Sequence, residues 1–328
     1  MSFPLGTPYA GSAPATAYSG TFIPEVWSGK LVEKFYKATV LGAVANTDYE
    51  GEIKNYGDKV QIRSRPDVTI ADYNANQELA VTRPSVAKQT MNIDKGKYFN
   101  LALDDVMEVQ SDIDQLSIWA EDAAEQMKIN IDNDVLNTGL VDQAAAANMG
   151  TTAGAISSSY NLGAAGTTSA LYINKVSAGT GDGSSASNDR AVVDFIVDCG
   201  SVLDEQNIPE SGRWMVIPAW LAGMIKQSDL KDASLSGDGT SILRNGRLGM
   251  IDRFTIYISN VLTANATYAT NYPVLFGTKA GFSFASQVTK LETIRSERTF
   301  SNLLRGLQVY GYKVVNSVAL GSAWVQRG

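Results

Sequence analysis

Residues 58–70, DKVQIRSRPDVTI, alternate almost without a break. Val60, Ile62, Pro66, Val68 and Ile70 share one parity, and Lys59, Gln61, Arg63, Arg65, Asp67 and Thr69 share the other. A period of two marks an extended strand with one buried face. After a polar stretch, ADYNANQE at 71–78, the chain returns along LAVTRPSVAKQTMNIDKGKYF, so residues 50–98 form one long two-stranded ribbon. Pro66 and Pro84 each delete a ladder donor, which confines both strands to edge-like or unpaired positions. A lone two-stranded ribbon is marginal in water. Its apolar parity therefore needs a floor, either on its own domain or on another chain.

The strongest helical pattern follows at 111–139, SDIDQLSIWAEDAAEQMKINIDNDVLNTG. Ile113, Leu116, Ala120, Ala124, Met127, Ile131 and Val135 recur at steps of three or four. Ser111 with Asp114 gives a start resembling a capping box, and Gly139 gives a stop. Such a rod is about 43 Å long, comparable to a domain diameter. Its other side is acidic, with Asp112, Asp122, Glu125, Asp132 and Asp134 against a lone Lys128. That side is either a solvated face or a docking surface for a basic partner.

Residues 1–20 are rich in Ala, Gly, Ser, Thr and Pro and carry no charge, the composition of an arm that orders only against something else. No positive charge precedes residue 30 and no apolar core is sustained there, so neither a secretory signal nor a transit peptide is expected. No run approaches a membrane span. Val26, Leu31, Phe35 and Tyr36, behind Pro24, predict a short amphipathic helix.

Residues 143–190 form a low-charge Ala/Gly/Ser/Thr connector around one short strand at 170–176. Its GTGDGSS lacks both the G-x-G-x-x-G spacing and a Walker Lys-Ser/Thr, so it is a turn ending in a Ser187 or Asn188 cap. The second half mixes types: a helix at 189–206, a buried strand RWMVI at 213–217, a helix from Pro218 through Lys226, then several strands. Without strict βαβ repetition this argues an α+β core.

The chemistry is mostly absent. The 328 residues include no histidine, which removes the commonest general base, metal ligand and nucleophile partner. The single Cys199 sits in an apolar run and reads as a buried, inert thiol. Asp104 with Asp105, and Asp132 with Asp134, lack calcium-loop spacing, and SGDGTS at 236–241 is a polar loop. Arg295, Arg298 and Arg305, interleaved with Glu292 and Glu297, make an ion-pair surface. The net charge of −7 disfavours a protein that reads nucleic-acid sequence. No catalytic, metal or cofactor residue is assigned. What remains is an arm, a projecting ribbon and a rod, which are parts for touching other chains.

In this order the parts resemble the major capsid proteins of tailed bacteriophages, the Johnson fold. TFIPEVWSGKLVEKFYKATVLGAVAN resembles that family's N-terminal segment, TDYEGEIKNYGDKVQIRSRPDVTIADY its extended E-loop, and residues 111–139 its spine helix. DEQNIPESGRWMVIPAWLAGMI is similar to the start of its A-domain, and RGLQVYGYKVV to a closing P-domain strand. The resemblance implies an arm and short helix over 1–49, an E-loop hairpin over 50–98, and a P-domain with spine helix over 99–142. It further implies an A-domain over 191–288 and return strands of the P-domain over 289–328, with 143–190 a connector or insertion.

It also implies a non-enzymatic virion subunit that self-assembles into hexamers and pentamers of an icosahedral head around double-stranded DNA. The packaged DNA would be touched non-specifically. Scaffolding, portal and decoration proteins are the further partners, and assembly takes place in the host cytoplasm. The ribbon's floor would then be a neighbour's P-domain. Candidate intersubunit contacts are Lys59, Arg63, Arg65 and Arg83 on the E-loop, meeting Asp112, Asp122 and Glu125 on the acidic side of another subunit's spine helix. The Lys–Asn pair by which some relatives cross-link matches no position in this chain. An encapsulin-like compartment of the same fold is the alternative, and a secreted adhesin or surface-layer module a more distant one.

Overall fold

The computed structural model describes residues 34, 36–48, 59–63, 65–66, 68–75, 77–79, 81, 83–84, 88–106, 115–166, 169–175, 188–228, 249–297 and 299–328. The expected Ser111/Asp114 cap, Val26, Leu31, Phe35, Ser187, the GTGDGSS turn, SGDGTS and Arg298 lie outside these residues, as does Asp112.

RWMVI forms strand β6, Arg213–Ile217, buried along its whole length, as apolar residues on both parities demand. It lies inside a seven-stranded sheet with β4 (Leu171–Asn174), β5 (Asp189–Ala191), β7 (Met250–Ile251), β8 (Phe254–Ile258), β9 (Tyr272–Thr278) and β12 (Leu320–Arg327). Among the described residues the order is β5-β4-β12-β9-β6-β8-β7, mixed parallel and antiparallel. One face is covered by helices α3 (Val192–Glu205) and α4 (Ala219–Gln227). There Phe195, Ile196, Leu221 and Ile225 pack on Met215, Ile217, Phe254 and Phe276. Cys199 lies in the same core.

The opposite face of the sheet carries Trp214, Val216, Leu275 and Leu320. These meet the end of the long helix α2, Gln115–Asp134, through Ile131, and the π-helical turn Val135–Leu140 that continues it, through Val135 and Leu136. Helix α1, Leu41–Val44, packs into the same core. The seven-stranded sheet is thus a wall with a core on each side.

A second sheet places β10 (Phe282–Arg295) beside β11 (Ser301–Val314) and β11 beside β3 (Lys95–Asp104), all antiparallel. The ribbon, β1 (Lys59–Arg63) with β2 (Lys88–Asn92), is a third, separate two-stranded sheet.

Several expectations are displaced. Gly139 does not stop the helix, because the π turn carries it through Leu140, and glycine serves there as a gap for Tyr312. Asn188 does not cap α3. Residues 189–191 pair with 172–174 as a strand, so the N-cap falls on Ala191, with no side-chain cap bond. Of the amphipathic helix expected to take in Val26 to Tyr36, most lies outside the described residues; residues 36–40 are non-helical, and a short helix follows at Leu41–Val44. The boundary at 288/289 falls inside β10, and β12 returns to the seven-stranded sheet rather than to β10 and β11. Within 143–190, expected as a connector or insertion, Ala153, Leu162, Leu171 and Ile173 have no exposed surface and complete the core under α3.

Candidate intersubunit surface

The root of the ribbon has its floor within the same chain. On β1 the burial alternates as the sequence requires, with Val60 and Ile62 inward. They pack with Met91 and Ile93 of the return strand against Ala285 of β10, with Val309 alongside. Among the described residues the last ladder pair is Arg63–Lys88, short of both prolines. Beyond it the apolar parity loses its floor: Val68 is 66% exposed, Ile70 93% and Val81 90%. The tip is closed by a turn in which the Gln77 N–H donates to the Asn74 carbonyl at 3.1 Å and the Asn74 N–H to Gln77 Oε1.

The ribbon's outer side is cationic. Lys59, Arg63, Arg65 and Arg83 are all exposed, and Lys88 stands directly across from Arg63. Like charges at directly opposed positions oppose pairing. Among the described residues, none of these five cations makes an ion pair within the chain.

The acidic side of α2 is more occupied than its sequence suggests. Asp122 accepts from Lys34 Nζ at 2.5 Å and from Tyr36 OH at 2.9 Å, and the hydrogen bond from Lys34 holds its carboxyl below the usual range. Glu125 is bound by Lys128 one turn on. Asp132 is 3% exposed and accepts the Val40 N–H at 2.7 Å. Burial pushes its carboxyl up, against the opposing pull of the Val40 and Leu41 amides. Asp134 accepts from Lys95 Nζ at 3.0 Å and Tyr310 OH at 2.8 Å. So two of the five carboxylates assigned to an outward face, Asp132 and Asp134, serve the subunit's own interior. Asp132 adjoins Ile131 and lies three residues before Val135, so its closeness to the apolar stripe was the available signal.

A groove of about 320 Å³ crosses the three-stranded sheet, lined by Tyr98, Phe99, Asn100, Lys290, Glu292, Arg305, Gly306 and Leu307. Tyr98 is 79% exposed on it. Glu292 takes its ion pair from Lys290 at 2.8 Å and stands across from Arg305. Arg295, expected to pair with neighbouring glutamates, instead binds Asp105 through both of its terminal nitrogens.

Two clusters carried no sequence signal. Arg213, fully buried, donates to the carbonyls of Pro209, Gly200 and Ile208 and to Asp204 Oδ1 at 2.7 Å. Burial alone would raise the Asp204 carboxyl, but Arg213 and Arg253 outweigh it and hold it low. The second cluster is Lys95 with Asp134, Tyr310 and Tyr312 at the ribbon's root. Cys199 is fully buried and its thiol is pushed up by that burial. Among the described residues no group of three His, Cys, Asp or Glu could hold a metal, and no helix is long and apolar enough to cross a membrane.

A rod, a doubly covered mixed sheet and a projecting ribbon whose outer half lacks a floor define a shell-building structural protein. Comparison with known proteins agrees: the phage capsid protein family matches residues 87–323, and the chain belongs to that family. The solved structures share its Johnson-type α+β fold. A protein of Mycobacterium phage Che8 is 25% identical over 92% of this chain and 96% of its own, with a TM-score of 0.69. A capsid structure of the cyanophage P-SCSP1u is 15% identical over 94% of each chain, at 0.66. The capsid of a native GTA particle is 15% identical over 94% of this chain and 98% of its own, at 0.64. No curated protein matches. The chain is accordingly a structural capsid subunit of the virion.

Proposed function

We propose that this subunit forms the hexamers and pentamers of an icosahedral head around double-stranded DNA, and that it catalyses no reaction. The ribbon is the E-loop, the three-stranded sheet with α2 the P-domain, and the seven-stranded sheet with α3 and α4 the A-domain. The observation that carries this reading is the split ribbon: Val60 and Ile62 are buried on the subunit itself, while Val68, Ile70 and Val81 are left without a floor. A neighbour's three-stranded sheet, with its groove around Tyr98 and Leu307, supplies that floor.

Lys59, Arg63, Arg65 and Arg83 then face the acidic side of a neighbour's spine helix. Among the described residues the exposed Glu121 is the available carboxylate, since Asp122 is already engaged by Lys34 and Glu125 by Lys128. Such contacts contribute little singly, about 0.2–1 kcal/mol when exposed, but recur at every interface of a shell. Scaffolding, portal and decoration proteins remain further partners, and DNA is met without sequence preference.

The test is electron microscopy with light scattering on the chain expressed alone and with its genomic neighbours. Closed shells, tubes or spirals support the reading. A monodisperse monomer under both conditions overturns it.

A further inference from the structure

The ribbon's return strand rejoins the subunit through the bend at residues 93–94, between β2 and β3. The bend rests on Gly311, where a Cβ would stand 2.2 Å from the Asn92 carbonyl oxygen and 2.9 Å from Ile93 Cα. Directly after it, Lys95 stands opposite Tyr310 and donates to Tyr312 OH at 2.5 Å and Asp134 Oδ2 at 3.0 Å. The Tyr310 hydroxyl donates to that same carboxylate oxygen. The Lys95 ammonium also lies 4.3 Å from the centre of the Tyr312 ring. That ring fits against the π turn because residue 139 is glycine, where a Cβ would come within 2.5 Å of it.

We infer that Lys95 is the positioning residue of the ribbon: bound to Asp134 and Tyr312, it sets the direction in which the ribbon leaves the subunit and, through that, the curvature of the shell. The apolar floor under Val60 and Ile62 resists separation but has little directional preference, because burial depends on area and not on angle. A half-buried ammonium held by an ionised acceptor and a ring is directional. The lever is long. From Arg63 to Asn74 the chain can extend roughly 36 Å, so a tilt of about 10° at the root moves the tip by about 6 Å. That exceeds the tolerance of a packed interface. The link to curvature rests on the shell-subunit reading above; the link to ribbon direction does not.

The test compares Lys95→Met, which keeps the aliphatic stem, with Lys95→Arg, which keeps the charge, and with Asp134→Asn. Two readouts are taken on the full chain: amide exchange, and particle diameters by electron microscopy. Lys95→Met and Asp134→Asn are expected to speed exchange in β1 and β2 roughly tenfold while β6 and β9 stay protected. The same two variants are expected to broaden the diameters or leave open sheets, and Lys95→Arg to restore both readouts. Unchanged ribbon exchange in Lys95→Met overturns the inference, as does an even loss of protection across all sheets, which would make Lys95 a general stability residue. A loosened ribbon with unchanged diameters overturns the link to curvature. Should the unmodified chain form no particles, alone or with its genomic neighbours, the shell reading fails, and ribbon exchange alone still decides the role of Lys95.

Discussion

The backbone N–H of Val40 donates to Asp132 Oδ2 across 2.7 Å inside the core between the seven-stranded sheet and the long helix. The same carboxyl takes a backbone hydrogen bond from Leu41, so helix α1 begins where a buried acceptor meets its first amides. Asp132→Ala would leave those amides unsatisfied and is expected to cost about 1–3 kcal/mol in urea unfolding, with Asp132→Asn costing less because an amide oxygen remains.

The pH dependence of Asp132 has an unusual sign. Burial raises its carboxyl in the native state, so between the ordinary carboxylate value and its own the folded chain binds more protons than the unfolded chain. Its contribution is therefore greatest at acid pH and is lost as pH rises through that window. Asp204, held low by Arg213 and Arg253, behaves oppositely: its contribution is present above the unfolded value and lost as pH falls through its depressed native value. Stability against pH should thus fall more steeply on acidification in Asp132→Asn than in the unmodified chain, and less steeply in Asp204→Asn.

Arg213 joins β6 to the 206–212 turn through the carbonyls of Ile208 and Pro209, and to α3 through the Gly200 carbonyl and the Asp204 carboxylate, with no exposed side-chain surface. Arg213→Met leaves those acceptors facing an apolar chain. A loss of about 3–5 kcal/mol in calorimetric stability is expected. Arg213→Lys should recover only part of it, since one ammonium cannot reach the directions the fork covers.

Two glycines make a matched pair. A Cβ at Gly311 would collide with the ribbon backbone, so Gly311→Ala should destabilise by about 1–3 kcal/mol and loosen β2. Gly42, inside α1, has nothing within 4 Å of a built Cβ, and Gly42→Ala should stabilise by about 0.4–1 kcal/mol. Thermal unfolding of the two variants side by side checks both.

Arg63 and Lys88 oppose each other across the last ladder pair. Arg63→Glu would convert repulsion into attraction, so amide exchange in the ribbon of the unassembled subunit should slow by a factor of about two to five. Particle yield should fall, most of all with Arg65→Glu added. Equal yields would show that the ribbon's cations do not hold neighbours together.

What could be read from sequence was whatever a strong period or a stiff residue dictates. RWMVI had to be a doubly buried strand, Pro218 had to open the helix after it, and Val60 and Ile62 had to face inward. The alternation running on to Ile70 was legible too, but not that Val68 and Ile70 have no floor within the chain. The acidic residues of the long helix were legible as charges and not as partners: Lys34, 88 residues from Asp122, and Tyr310, 176 residues from Asp134, meet them only across the fold.

The low-charge stretch at 143–190 misled for a related reason. Ala153 and Leu162 fill the core without helical or strand spacing, and small apolar residues without a period look the same in a linker as in a packed loop. Periodicity, proline and turn chemistry act over a few residues and are written locally, so the sequence by itself determined the long helix, the RWMVI strand and the inward face of β1, while the shell-building class came from the resemblance carried by the order of its segments. Only the tertiary structure decided which carboxylate is buried, which glycine makes room for a ring and where the ribbon loses its own support. Those depend on which distant atoms come within a few ångströms, and no local pattern encodes that distance.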